Sequence, residues 1–303
     1  MRNPMKIKSK LRKFRRRFVE ISVATLMIAY LIFMIFSIFY PSLNTTDPQD
    51  MAGFDEKKRI AIIDQLSLYD NSTSFTDNMT ATLNSAGYQV DVYRDREITI
   101  GFYKNLPLLE HRLIIFRVHS APSHVEFMPN ATQSQPWWSV YLFTSEPYSP
   151  FMYPIEQLSG QVVQAAITEA SPRYFAIGPD FIRKSMRGEF NDPIIIMSSC
   201  KILNESDLAD ALIDRGVKGV ISWNDLVELN HTDRTVEVLI ENLIMEEMTV
   251  KDAVEATMEE VGPDPYYGSK LVYHPDVIGK VDLERLIFTS NSKIIASERK
   301  DFI

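Results

Sequence analysis

Short apolar segments alternate with amphipathic segments along most of the chain after residue 58. Apolar or alternating runs of strand length occupy residues 59–66, 89–94, 112–120, 137–146, 193–200 and 217–225. Apolar positions at helical spacing occupy residues 74–88, 206–216 and 233–248, a cap at Thr249 starts a further helix, and we interpret residues 160–170 as helical. This alternation predicts an α/β fold of three layers, with a mostly parallel sheet between helices.

The segment PIIIMSSC at residues 193–200 predicts a central strand of that sheet. Its apolar residues follow Pro193 without interruption, which is typical of a parallel strand buried on both faces. It ends at Cys200, the single cysteine of the chain. Catalytic groups in open α/β sheets lie beyond the carboxyl ends of the strands, although a lone cysteine more often packs as a small apolar side chain.

A histidine stands at the end of another predicted strand. The run RLIIFRVHS at residues 112–120 reaches its polar end at His119. Because parallel strands end at one edge of a sheet, we expect His119 and Cys200 to share that edge. An imidazole beside a thiol raises the thiolate fraction and later protonates the leaving group, so the two residues form a candidate catalytic dyad. His124 is a rival base, and no His or Cys spacing indicates a metal site.

The N-terminal forty residues have a composition of their own. Residues 1–17 contain nine Lys or Arg and no acid, and residues 21–40 contain no charge. Twenty helical residues span about 30 Å, the thickness of the hydrocarbon core of a bilayer. The pattern predicts a cytoplasmic basic segment at 1–17, a transmembrane helix at 18–40 that contacts the lipid bilayer, a polar stalk at 41–57 and an extracytoplasmic domain at 58–303 of a single-pass membrane protein.

Charge and glycosylation signals agree with export. The whole chain carries −8, so the nine positive charges of residues 1–17 leave −17 on the remainder. An acidic domain excludes nucleic acid as a partner, because nucleic-acid affinity rests on Lys and Arg at phosphates. Six Asn-x-Ser/Thr sequons predict glycosylation of the exported domain: Asn44, Asn71, Asn78, Asn130, Asn204 and Asn230.

The two strand-end motifs, IIFRVHS and IIIMSSC, together with the continuation LADALIDRGVKGVISW, resemble the caspase–haemoglobinase fold of cysteine peptidases. The resemblance covers about residues 59–261. It implies a caspase-like fold without a cofactor, Cys200 as nucleophile, His119 as acid and base, and a peptide or protein as substrate. It also implies that Ser222 and Trp223 line the substrate cleft.

Three departures from the pattern of that family bear on specificity. Ser120 stands where a glycine usually follows the histidine, and Ser198 stands where relatives carry Gln or Asp two residues before the cysteine. Asn224 replaces the arginine by which caspases bind aspartate, so caspase-type cleavage after Asp is not expected. Asp64 or Asp70, at the end of the first predicted strand, is a candidate acid in the substrate pocket.

Two functional hypotheses and a weaker third follow. The first is a membrane-anchored extracytoplasmic cysteine peptidase that forms an acyl-enzyme on Cys200. The second is a catalytically inactive domain of the same fold that binds a peptide or partner at the cell surface. The third is a surface glycoprotein whose likeness to peptidases is incidental.

Overall fold

The computed structural model describes residues 58–69, 73–124, 138–204 and 206–283. The predicted basic segment, transmembrane helix and stalk lie outside these residues. Among the helices of the described part, none is both long and apolar enough to cross a membrane.

The central sheet has six strands in the order β10-β9-β8-β3-β1-β2. All neighbouring pairs are parallel except β9 and β10, so the predicted mostly parallel sheet is confirmed. Every residue of β3, β8 and β9 is buried, which explains why these strands are apolar except at Arg117, Ser198 and Ser222. The strands are β1 (Arg59–Asp64), β2 (Gln89–Arg94), β3 (Leu113–Arg117), β8 (Ile194–Ser198), β9 (Gly219–Trp223) and β10 (Leu271–His274).

A second, antiparallel sheet has the strand order β4-β5-β7-β6. Its strands are β4 (Ser120–His124), β5 (Trp138–Pro147), β6 (Val162–Ala165) and β7 (Tyr174–Ile177). The predicted aromatic strand at 137–146 is confirmed as β5. The prediction of a helix at 160–170 is wrong, because residues 162–165 pair in register with β7 from Val162↔Ile177 to Ala165↔Tyr174.

Seven α-helices occupy the described residues, and side chains cap three of them at the N-terminus. Thr249 caps the last helix as predicted, with its hydroxyl accepting the N–H of Asp252 at 3.3 Å. The helix predicted from residue 233 begins four residues earlier, because the Glu228 carboxylate caps it through the N–H of His231 at 2.9 Å. The helices are α1 (Ser74–Ser85), α2 (Ile100–Asn105), α3 (Pro154–Leu158), α4 (Pro179–Ser185), α5 (Asp207–Asp214), α6 (Leu229–Ile240) and α7 (Val250–Val261).

The central sheet separates two apolar cores. Alternate residues of β8 face opposite sides, with Ile195 and Met197 in one core and Ile194 and Ile196 in the other. The first core is completed by α2, α4, α5 and the second sheet, and the other by α1, α6 and α7. This arrangement has three layers and is consistent with the caspase-like fold that the sequence resemblance implied.

Candidate functional site

His119 and Cys200 lie beyond the ends of two adjacent parallel strands. The register of β3 and β8 runs from Leu113↔Ile194 to Arg117↔Ser198, a constant offset of 81 positions. His119 and Cys200 are also 81 positions apart. The two residues therefore occupy matching places at the carboxyl edge of the sheet, the edge that the sequence predicts them to share.

Two serine hydroxyls join the segments that carry these residues. The Ser120 hydroxyl donates to the carbonyl of Cys200 at 2.5 Å, and the Ser199 hydroxyl donates to the carbonyl of Val118 at 2.9 Å. Both bonds lie past the last residue pair of the β3–β8 ladder, so they extend the connection between the strands by side-chain contacts. Ser199 was not identified from the sequence, where it reads only as a small residue before the cysteine.

The Cys200 thiol is half-buried and contacts the loop that follows β9. Its Sγ donates to the carbonyl of Val227 at 3.8 Å. Burial raises the pKa of the Cys200 thiol above its ordinary value. The thiol is therefore protonated at neutral pH in this conformation.

The His119 imidazole packs beside two aromatic rings. The ring centroids of Tyr69 and Phe143 lie 5.4 Å and 5.8 Å from that of His119. The backbone N–H of His119 donates to the side-chain oxygen of the fully buried Gln65 at 3.1 Å. Burial, and secondarily the charge of Arg117, lower the pKa of His119 to about 4, so the imidazole is neutral at pH 7.

The two side chains of the candidate dyad thus contact different neighbours. Within the described part of the chain, the thiol hydrogen-bonds to the segment after β9, and the imidazole packs beside segments that follow β1 and lie in β5. The backbones of His119 and Cys200 are adjacent, but this conformation contains a neutral thiol and a neutral imidazole rather than an ion pair.

The lowered pKa of His119 predicts a pH-dependent stability. An unfolded histidine binds its proton at about pH 6.5, whereas the folded chain does so only near pH 4. Between these values the unfolded state holds more protons, so this residue makes the free energy of unfolding rise with pH. We expect His119→Gln to flatten that rise in urea denaturation series between pH 4 and 6.5. Equal slopes for the variant and the parent chain would contradict the assignment.

Two residues predicted to contact substrate are packed inside the domain. The hydroxyl of Ser198 lies 2.9 Å from that of Thr232 on α6, and the indole N–H of Trp223 donates to the same Thr232 oxygen at 2.8 Å. Trp223 is completely buried. Neither side chain reaches the surface at the strand ends, so this geometry gives no support to a substrate contact by either.

Asp64 and Asn224 also have structural partners. Asp64 is buried and accepts from the Arg117 guanidinium at 3.0 Å and from the N–H of Ser67 at 3.1 Å, so it is not an accessible pocket acid. Asn224 is exposed in the loop after β9, where its side-chain oxygen accepts the N–H of Lys270 at 2.8 Å. Asn224 remains a candidate for contact with a ligand, and Asp64 does not.

A buried ion cluster underlies the edge that carries the candidate dyad. The Arg117 guanidinium binds Asp233 of α6 through Nε at 2.9 Å and Nη2 at 3.0 Å, in addition to Asp64. Two carboxylates thus share one cation out of water, and burial raises the pKa of both Asp64 and Asp233. The cluster ties the ends of β1 and β3 to α6.

The remaining predicted positions divide between described and undescribed residues. Asn78, Asn204 and Asn230 are exposed, whereas Asn44, Asn71 and Asn130 lie outside the described residues. The rival base His124 ends β4, and its side chain is outside the description. Over the ranges that the structure covers, no group of three or more His, Cys, Asp or Glu residues is arranged to hold a metal ion.

Comparison with known proteins finds a similarity in structure but none in sequence. No family model matches the sequence, and no curated protein matches it. The crystal structure of the Arg-specific cysteine proteinase gingipain R is similar at 13% identity and a TM-score of 0.39, over 76% of this chain. The alignment spans 45% of the length of that proteinase. A likeness at this level carries no argument about the activity of the chain.

Proposed function

We propose that residues 58–303 form a caspase–haemoglobinase-type cysteine peptidase, with Cys200 as nucleophile and His119 as general base and acid. The observation that carries the proposal is the common offset of 81 positions, which relates both the β3–β8 register and the His119–Cys200 pair. It supports a site built on two rigid strand ends, joined by the Ser120 and Ser199 hydroxyls.

The chemistry begins from the neutral pair. As the peptide carbonyl approaches, the thiol proton passes to the His119 imidazole and the sulfur forms a bond to the carbonyl carbon. The carbon–nitrogen bond then breaks, and His119 returns the proton to the leaving amine. Water, deprotonated by the same imidazole, hydrolyses the thioester and restores the thiol. Rotation of the thiol away from the Val227 carbonyl toward His119 accompanies substrate binding.

The same proposal includes attachment to a membrane. Residues 18–40 span the bilayer, the basic residues 1–17 stay in the cytoplasm, and the domain faces outward. The exposure of Asn78, Asn204 and Asn230 supports glycosylation of an exported domain.

Covalent labelling tests the catalytic proposal. Because Cys200 is the single cysteine, a thiol-directed peptidyl electrophile at pH 7 reports on this residue alone. A buried thiol without a base reacts more slowly in the folded chain than in urea, whereas a base-assisted thiol reacts faster when folded. We expect faster labelling of the folded chain and a loss of at least about tenfold in His119→Ala.

The matched control is His274→Ala, which removes a half-buried histidine on β10 that pairs with Asp210 at 2.8 Å. Labelling should be unchanged in this variant. Slower labelling of the folded chain than of the unfolded chain, with no difference between His119→Ala and the parent, contradicts the dyad.

A second candidate function is that of a catalytically inactive domain that binds a peptide or partner. The observation that favours it is the orientation of the two side chains, with the thiol on the Val227 carbonyl and the imidazole between Tyr69 and Phe143. The labelling experiment distinguishes the two candidate functions. For the inactive domain, labelling of Cys200 should be slower in the folded chain than in urea and should not change in His119→Ala.

A further inference from the structure

A short helix exposes apolar side chains to solvent. Phe151 is 90% exposed, Ile155 75% and Leu158 80%, and Met152 beside them is 42% exposed. Ile155 and Leu158 are three positions apart on α3, which places them on one face of this helix, and Phe151 and Met152 lie in the turn that precedes it. We call these four side chains the apolar tip.

The polar groups of the same segment point inward. The Tyr153 hydroxyl donates to the Glu146 carboxylate at 2.7 Å, and the Tyr148 hydroxyl donates to the Gln157 side chain at 3.0 Å. The Gln157 amide donates to the carbonyl of Ser149 at 3.1 Å. These bonds hold the turn in one conformation. Its polar side chains hydrogen-bond to one another and to the backbone of the turn, and its apolar side chains face solvent. That is the reverse of an ordinary surface helix.

The sequence segment that carries the apolar tip is almost uncharged. Residues 147–168 contain one charged side chain, Glu156, whereas 24% of the whole chain is charged. Without Lys or Arg, the segment has no attraction to an anionic surface. Its chemistry fits an apolar phase beneath an uncharged headgroup layer.

We infer that the apolar tip inserts into the outer surface of the bilayer to which the chain is anchored. The inference rests on the proposed membrane anchor and is independent of the proposed catalysis. A coil as long as the predicted stalk at 41–57 would average about 20–25 Å from end to end, and would reach at most about 60 Å when extended. In this proposal the tether keeps the domain close to lipid. The effective concentration of lipid at the apolar tip is then high, so that even a small apolar contact is populated.

The size of the apolar tip favours lipid over a second copy of the chain. A stable protein interface uses about 20–30 residues on each side. Four protruding side chains are fewer than this, but they match the depth of about 5–10 Å to which an interfacial helix is buried.

Quenching by brominated lipid tests the inference on the full-length chain in phosphatidylcholine vesicles. Phe151→Trp places a fluorophore in the apolar tip, and Tyr266→Trp places one at a residue that is 79% exposed between α7 and β10. The fluorescence added by Phe151→Trp should fall at least about twofold with acyl-chain-brominated lipid. That added by Tyr266→Trp should not change. Adding Ile155→Ser and Leu158→Ser to Phe151→Trp removes exposed side chains only and should reduce the quenching.

Alkaline carbonate extraction of the same vesicles separates failure of the anchor from failure of the inference. Release of the chain by carbonate refutes the anchor, and with it the reason for lipid as occupant. Retention of the chain without quenching at residue 151, or with equal quenching at residue 266, refutes the inference alone. Dimers cross-linked through the apolar tip also overturn it, because the occupant is then a second copy.

Discussion

Replacing Arg117 by alanine is expected to lower the free energy of unfolding by about 3–5 kcal/mol, the usual cost of removing one partner from a buried ion cluster. Arg117 is 2% exposed, and its guanidinium is bound by Asp64 and Asp233. Alanine leaves the buried Asp64 and the partly buried Asp233 without the cation that they share. Urea denaturation at pH 7 measures the loss, which should shrink at lower pH as the two orphaned acids take up protons.

The matched control is Arg234→Ala. Arg234 also pairs with an acid, Glu260 at 3.1 Å, but its side chain is 56% exposed. Removal of an exposed pair should cost at most about 1 kcal/mol. Equal losses for the two variants would show that the cluster at the strand ends contributes no more than a surface contact does.

Replacing His119 by alanine is expected to reduce peptide cleavage by about 10²–10⁴-fold, the usual contribution of general acid–base catalysis. Without the imidazole, a thiol whose pKa is raised by burial has no acceptor for its proton at neutral pH. The loss should appear in kcat, because the leaving amine also lacks its proton donor. Initial rates with a mixed peptide library measure it.

The pH profile of the parent enzyme gives an independent check on the same residue. The neutral imidazole is the active form, and burial lowers the pKa of His119 to about 4. The acidic limb of kcat/KM should therefore rise near pH 4 and be flat by pH 6.5. A limb centred near 6.5, the value of a solvated histidine, contradicts the buried environment of the ring.

The central strands could be predicted from sequence because they are buried on both faces. In β3 and β8 every position before the last is apolar, so a continuous apolar run followed by a polar residue marks both the strand and its edge. The offset between His119 and Cys200 follows from aligning those two runs. The α1, α5 and α7 segments were also recognisable, since apolar positions at helical spacing are a local signal, and Thr249 caps α7 in addition.

The second sheet could not be predicted in the same way, because its pairing is not local. Residues 162–165 form a strand since β7 lies beside them, and that partner begins at Tyr174, beyond an intervening turn. The short run VVQA carries no signal that decides between strand and helix.

The directions of the side chains at the site likewise could not be predicted from the sequence. A charged residue inside the apolar run IIFRVHS indicates that Arg117 needs buried partners, but Asp233 lies 116 positions away. Ser199 and Gln65 position the strand ends through hydrogen bonds to Val118 and His119. Such a role cannot be predicted from the type of either residue. The orientation of the thiol toward Val227 depends on the loop after β9, whose path only the fold defines.

Intact-mass analysis of acid-quenched reactions tests the central claim most directly. The full-length chain is mixed with an excess of peptide library for a single turnover and then acidified, which preserves thioesters. A thioester adduct on Cys200 in the parent, its absence in Cys200→Ala and its slower formation in His119→Ala are the predicted results. Cleavage of the peptides that persists in Cys200→Ala, or no adduct and no cleavage in the parent chain, contradicts the assignment of a cysteine peptidase.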